Sequence, residues 1–431
     1  MSKSQLVSHG LVSVVDNTTR FFAITGPMTG QTVEEYSQQP IRDAGTFANL
    51  YVRIPTNTAS NTSTVTLRKN KADTALIVTI GSDLTGVFED NSNTVAFANT
   101  DEANLEVTVP TEAGTNNLTI SLFGMSFTPD TTTNAATFLN TNAAVGNITG
   151  DSTTLFITPQ GTNAVASVEA NNQIKIRGSF VAQDFNIYVS ANARTSDSTF
   201  GTRKNTAAGS QSVVVGAGLT GFFEDTSNTD TLAANNLYGY YVTTGAGTGE
   251  ATAVREYSST LISTANQFLM VLGDLLSQAF NVTNYLGASG SSTDETTTEA
   301  DTQIIPQFTF TVKELITYRS ANSIATSDSS VTVRDGGADS AVTVVIPTGA
   351  GAAWQADSTN STVITAATDT LNIKVVTPNT SGTLSLRQII LMGEVAAAGS
   401  LIKTKKGLAV ASVKTFKGLA IASVKTDKGL A

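Results

Sequence analysis

Leu84-Thr-Gly86-Val-Phe88-Glu-Asp90-Asn-Ser-Asn93-Thr94 returns further along the chain as Leu219-Thr-Gly221-Phe-Phe223-Glu-Asp225-Thr-Ser-Asn228-Thr229. A looser third copy reads Thr348-Gly-Ala-Gly351-Ala-Ala-Trp354-Gln-Ala-Asp357-Ser-Thr-Asn360. In this alignment Trp354 falls with Phe88 and Phe223 as a core plug, and Gln355 falls with Glu89 and Glu224. Each copy follows an arginine: Arg68, Arg203 and Arg334 precede Asp90, Asp225 and Asp357 by 22, 22 and 23 residues. Further on, Ser121, Arg255 and Arg387 follow those arginines by 53, 52 and 53 residues. Register held over such distances marks internal repeats. The spacing predicts three related modules, 1–130, 131–262 and 263–398, then a tail over 399–431.

Within each module the local pattern is that of strands. Val65-Thr66-Leu67 and Leu76-Ile77-Val78-Thr79-Ile80 are β-branched runs, while Leu105 to Val109 and Leu118 to Leu122 alternate with period two, as half-buried strands do. The second module offers Ile174-Lys175-Ile176, Asn186 to Val189 and Ser212 to Val215. The third offers Phe308 to Val312, Val342 to Ile346 and Leu371 to Val375. Such spacing predicts an all-β chain of three tandem antiparallel β-sandwich (jelly-roll-like) modules plus a short C-terminal β-repeat arm. One segment resists. Ala265 to Tyr285 places Phe268, Leu269, Val271, Leu272, Leu275, Leu276 and Phe280 at spacings that suit an amphipathic helix. A short helix near 265–285 is therefore expected. The alternative is an opening strand matching Phe21-Phe22 and Leu155-Phe156-Ile157.

Of the 431 residues, 69 are Thr and 14 % are charged, against roughly 25 % charged in an ordinary domain. The β-branched carbon of threonine favours extended backbone and its hydroxyl keeps an outer face wet. With no cysteine, disulfides, thiolate nucleophiles, cysteine zinc sites and iron–sulfur clusters are excluded. His9 is the single histidine, so a Ser-His-Asp triad would depend on a residue near the N-terminus. The N-terminal sequence has no long apolar stretch of the secretory kind, and no window holds the roughly 20 apolar residues of a membrane span. Neither secretion nor membrane insertion is expected.

The tail changes character. Lys403, Lys414 and Lys425 lie eleven residues apart, as do Gly407, Gly418 and Gly429. Residues 401–431 carry seven lysines and one aspartate, a net +6, which leaves −16 on residues 1–400. An eleven-residue period can wind a helical supercoil, but a glycine in every unit costs about 1 kcal/mol inside a helix. A small β meander, or an arm completing its sheet on a neighbouring subunit, fits better. Lys403, Gly407, Lys414, Phe416, Gly418, Lys425 and Gly429 are the expected assembly residues. Nucleic acid is the rival partner for such lysines. The tail has no arginine, and Phe416 is its one aromatic, which argues against it.

The repeated acidic loops offer the hard oxygens that Ca²⁺ takes, at Asp90, Asp225, Asp230 and Asp357. None has the spaced pattern of a dedicated calcium loop, and Asp and Asn also shape turns by bonding their own backbone. Turn chemistry is the reading adopted, and no metal or cofactor is expected. Glu34-Glu35, Glu89-Asp90 and Glu224-Asp225 are adjacent carboxylates, which a strand sends to opposite faces. That counts against a glycosidase pair. Arg68, Arg203 and Arg334 are expected on a sheet face, pairing with module carboxylates.

Thr/Asn/Gly-rich β modules without cysteine, the Gly-x-Phe-x-Asp signature at Gly86 to Asp90 and Gly221 to Asp225, and the units Gly407-Leu-Ala-Val-Ala-Ser-Val-Lys414 and Gly418-Leu-Ala-Ile-Ala-Ser-Val-Lys425 resemble tailed-bacteriophage virion structural proteins. The resemblance implies a capsid decoration, head fibre or tail appendage. It also implies a non-enzymatic homo-oligomer that meets other virion proteins and is assembled in the host cytoplasm. The alternative function is a receptor-binding adhesin reading host surface glycans through its loops. A β-rich carbohydrate-active enzyme is the third.

Overall fold

The computed structural model describes residues 3–111, 116–130, 135–142, 148–161, 166–263, 265–274, 276–291, 295–366, 368–378 and 381–396, together with 404–405, 408–409, 415–416 and 419–420 of the tail. Among them the helical elements are three short 3₁₀ turns, Glu34–Tyr36, Glu169–Asn172 and Glu299–Thr302. All else that is regular is strand. Ser2–Val395 forms one compact unit, and Ala396–Ala431, with Met1, forms another.

In the large unit one topology occurs three times. In the first repeat a sheet joins Ser4–Val15, Asn117–Pro129, Gly45–Ile54 and Gly86–Phe97, and a second joins Thr18–Phe22, Glu102–Val109, Ser63–Lys69 and Ala72–Ile80. Counting these long strands in chain order, the orders are first-eighth-third-sixth and second-seventh-fourth-fifth. The second repeat has the same orders, beginning at Ala135–Asn142, and so does the third, beginning at Gln267–Gly273. Two four-stranded antiparallel sheets so connected are a jelly roll.

Local sequence explains the hairpins. Between the fourth and fifth strands, Lys69 pairs with Ala72, Lys204 with Ala207 and Asp335 with Ala338. The intervening Asn70-Lys71, Asn205-Thr206 and Gly336-Gly337 all have positive φ, between 50° and 79°. Two-residue turns of this hand match the twist of the strands they join.

The two sheets of a module differ in burial. The outer one alternates, as in Ala72–Ile80, where Leu76, Val78 and Ile80 point inward. The central strands of the inner one are covered on both faces: eleven of the thirteen residues of Ala251–Ser263 are buried, whereas its edge strand, as in Gly86–Phe97, is mostly exposed. In Gln267–Gly273, Phe268, Met270 and Leu272 enter the core of their own module, while Leu269 and Val271 enter that of the second module. The same happens all round. Ala136, Phe138 and Ile262 of the second module complete the core of the first, and Val7, Tyr51 and Leu122 of the first complete that of the third. The first strands of the three modules touch one another, so the contacts form a closed cycle.

Two expectations differ from this structure. The helix near 265–285 does not form; Gln267–Gly273, Leu276–Ala279 and Val282–Leu286 are strands. A strand buried on both faces shows no alternation, and its unbroken apolar run takes on helical spacing by default. The second correction concerns register. Trp354 pairs with Tyr318 as Phe222 pairs with Tyr188, and Ala356 pairs with Ile316 as Glu224 pairs with Asn186. Trp354 therefore corresponds to Phe222, and Ala356 occupies the position of Glu89 and Glu224.

In the tail, Thr404–Lys405 pairs antiparallel with Leu408–Ala409, and eleven residues later Thr415–Phe416 pairs with Leu419–Ala420. The eleven-residue period is thus a period of two-stranded ladders. Lys403, Gly407, Lys414, Gly418, Lys425 and Gly429 lie outside the described residues.

Shared cores make the three modules one cooperative body. Urea unfolding of the protein should show a single transition by circular dichroism and by Trp354 fluorescence together. Ile390 is fully buried in the core shared by the second and third modules. Ile390→Ala should cost about 2–5 kcal/mol and still leave one transition. Separate transitions for the modules would refute the shared-core account.

Candidate functional site

The repeated aspartates are the candidate metal ligands. In Asp357 one carboxylate oxygen accepts the Thr343 N–H (2.9 Å). The other accepts the N–H groups of Thr359 and Asn360 (both 3.1 Å) and the Thr359 hydroxyl. Asp90 and Asp225 repeat this arrangement with Ile77, Ser92 and Asn93, and with Ser212, Ser227 and Asn228. Burial alone would raise the Asp357 pKa, but the Asn360 side chain and three backbone donors outweigh it and hold the pKa down to about 2. Asp230 accepts from the Thr202 hydroxyl (2.6 Å) and the Ser210 N–H (2.8 Å). Asp90, Asp225 and Asp357 thus gather N–H and O–H donors two and three residues on, the chemistry of a turn anchor, whereas the donors to Asp230 come from strands 20 and 28 residues back.

The repeated arginines anchor the 3₁₀ turns. Arg68 forks onto Glu34 (3.0 and 3.2 Å), Arg203 onto Glu169 (2.9 and 3.0 Å) and Arg334 onto Glu299 (2.8 and 2.9 Å). Each also donates to a backbone carbonyl of the adjacent hairpin, at Lys71, Thr206 and Gly337. A third repeated anchor is not evident from the sequence motifs. Asn57 donates to the carbonyls of Gly81 and Leu84, Asn192 to those of Gly216 and Leu219, and Asn322 to that of Pro347. Recurrence at 135 and 130 residues is the signal that could have found these asparagines.

The junctions between modules hold further ion pairs and clefts. The inner end of each is tight. Gly26, Gly161 and Gly290 have φ of 97°, 136° and 122°. A Cβ on any of them would lie 2.7–2.9 Å from an atom of the next module, namely Asn140 O, Asp274 Oδ1 and His9 O respectively. Hydrogen bonds cross nearby, from Ala136 N to Ser4 Oγ (3.0 Å), from Leu269 N to Thr137 Oγ1 (2.9 Å) and from Gln160 Nε2 to Ser289 Oγ (2.8 Å).

Further out, Arg42 of the first module pairs with Glu224 of the second at 2.6 Å. Arg255 of the second lies 5.2 Å above the ring of Tyr36 of the first. Arg177 of the second module pairs with Glu314 of the third. Where the third module meets the first, Ile305 N donates to the Tyr51 hydroxyl (3.1 Å), Gln307 N donates to Gln5 Oε1 (3.0 Å), and Arg53 lies 3.8 Å from Asp301. Open space remains beside Arg42, Asp184 and Glu224 at the first junction, about 530 Å³, and also at this third one. A cleft of about 350 Å³ there is lined by Asn49, Glu89, Asn91, Ile305, Pro306 and Gln307. A second cavity of about 220 Å³ is lined by His9, Ser121, Glu295, Thr296, Asp301 and Thr302. His9 is 2 % exposed. Burial drives its pKa down to about 4, against a partial pull upward from its hydrogen bond to the Ser291 backbone.

No family model and no curated protein matches the chain. Among solved structures it is similar to an archaeal virus protein, described as "The Triple Jelly Roll Fold and Turret Assembly in an Archaeal Virus". The match has 10 % identity, covers 90 % of each chain, and has a TM-score of 0.19.

Two measurements check these assignments. Asp357→Ala orphans the Thr343, Thr359 and Asn360 donors and should lower stability by about 1–3 kcal/mol, read from the urea midpoint. Added Ca²⁺ should not shift the wild-type midpoint. For His9, a folded pKa below the unfolded value means that acid favours the unfolded chain. Stability is therefore full above about pH 6.5 and falls as pH drops toward 4, by on the order of 3 kcal/mol across that window. His9→Gln should flatten this slope; an unchanged slope would place the acid sensitivity elsewhere.

Proposed function

We propose that this chain is a non-catalytic structural component of a virus particle. In this reading it is of the kind that tailed bacteriophages carry as capsid decorations, head fibres or tail appendages. It folds in the host cytoplasm and assembles there as a homo-oligomer and with other virion proteins. The observation that carries the reading is the closed cycle of three jelly rolls, each completing its core with the inner sheet of the next. A block built in this way owes its rigidity to packing and needs no disulfide, which suits assembly in a reducing compartment. The basic arm supplies the second part. It carries +6 against −16 on residues 1–400, and its described strands pair only two residues deep. Ladders that short are marginal alone and gain order by docking. The arm therefore seeks an acidic protein surface.

Sedimentation velocity tests this on the full chain and on a chain ending at residue 398. The shortened chain retains the whole compact unit Ser2–Val395, so its urea midpoint should match that of the full chain. The full chain should associate with rising concentration and dissociate with added salt, and the shortened chain should stay monomeric. Equal association by both would remove the arm from the assembly mechanism.

A further inference from the structure

Comparing equivalent positions around the cycle isolates one unmatched site. By strand pairing, Asn49, Asp184 and Glu314 correspond to one another, as do Glu89, Glu224 and Ala356. Arg42, Arg177 and Gln307 follow the same internal repeat at spacings of 135 and 130 residues. At the first junction the guanidinium of Arg42 donates to Glu224 through Nε (3.1 Å) and Nη2 (2.6 Å). At the second, Arg177 donates to Glu314 and to Asn235 Oδ1. Both junctions thus place a cation of one module on a carboxylate of the next. At the third junction the carboxylate, Glu89, is present, but the residue in the arginine's place is the neutral Gln307. The Gln307 side chain turns back to the Ile305 carbonyl (3.0 Å). Glu89 accepts a 3.3 Å hydrogen bond from Asn91, and no ion pair reaches it among the described residues. The first junction keeps a cleft of about 530 Å³ even with Arg42 in place. At the third, Glu89 and Gln307 both line the cleft of about 350 Å³, so a cation entering it can reach the Glu89 carboxylate.

We propose that this cleft receives a lysine side chain from the C-terminal repeat of a second copy of the chain, which thereby fills the third cation position of the cycle. The proposal rests on the arm-docking function above and names its receptor. Charge selects the occupant. The seven lysines of residues 401–431 sit on an arm of net +6, and residues 1–400 carry −16. The repeat presents equivalent lysines every eleven residues, so a single carboxylate can be met in more than one register. A rim charge pair of this kind governs association rate and salt dependence more than raw affinity.

Three variants of the full chain test it, alongside the chain ending at residue 398. Gln307→Arg supplies the missing guanidinium internally. It should keep or raise the urea midpoint while weakening association about tenfold or more in sedimentation equilibrium. Glu89→Gln should weaken association similarly without changing the midpoint. Asp83→Asn, which removes an exposed carboxylate outside the cleft lining, should leave association unchanged. In a mixture of ¹⁴N and ¹⁵N copies, zero-length carbodiimide coupling should join Glu89 to a tail lysine in peptides of mixed isotope. Wild-type association by both Gln307→Arg and Glu89→Gln, with the shortened chain monomeric, would overturn this receptor and leave arm docking standing. Coupling confined to single-isotope peptides would overturn docking between copies. Association by the shortened chain would overturn both.

Discussion

The rest of the structure depends on the central strands of each module's inner sheet being buried on both faces. A sandwich needs one apolar face per sheet to close its own core. Here the second face of the inner sheet also carries apolar side chains, set among buried polar ones, and leaving the apolar ones in water would forfeit about 25 cal/mol for every Å² exposed. Leu269, Val271, Ile316, Ile390 and Met392 show where that surface goes: into the core of the second module. Because every module faces this demand, and every module offers a core that another can complete, the arrangement closes after three. Closure of the cycle and the burial of His9 follow from that packing.

Polar groups then fix what packing leaves loose. The Asp90, Asp225 and Asp357 carboxylates gather loop N–H groups, the arginine–glutamate forks tie each 3₁₀ turn to a hairpin, and the three asparagines hold the loop after the fifth strand. Each anchor satisfies backbone groups that a loop would otherwise expose or orphan. The repetition of all three sets argues that they maintain the shared architecture. Residues that break the repeat are the informative ones. Gln307 and Ala356 each stand where the repeat places a charged residue, and Gln307 lies where the third module meets the first.

Much of this is legible in the sequence. The module signatures, the arginine spacing and the alternating outer strands suffice for an all-β chain with three repeats, because outer strands keep one wet face and so keep their period. The turn role of the aspartates is legible for a similar reason, since their partners lie two and three residues away. Legibility fails where two modules meet. Gln267–Gly273 has the spacing of a helix, because nothing local distinguishes a strand face buried in its own core from one buried in a neighbour's. Trp354 aligns one residue out because the third copy has one more residue between its arginine and its aspartate.

What the sequence determined by itself is therefore the local part: strand identity, hairpin turns, loop anchors, the number of modules and the separation of an acidic body from a basic arm. These depend on residues a few positions apart and on composition. Tertiary structure alone decided which carboxylates Arg42 and Arg177 meet, which cavities remain between modules, and that Glu89 has no ion pair among the described residues while its counterpart Glu224 has one. Those facts depend on groups more than a hundred residues apart in sequence, as with Arg42 and Glu224. Only closure of the cycle brings them within hydrogen-bonding distance.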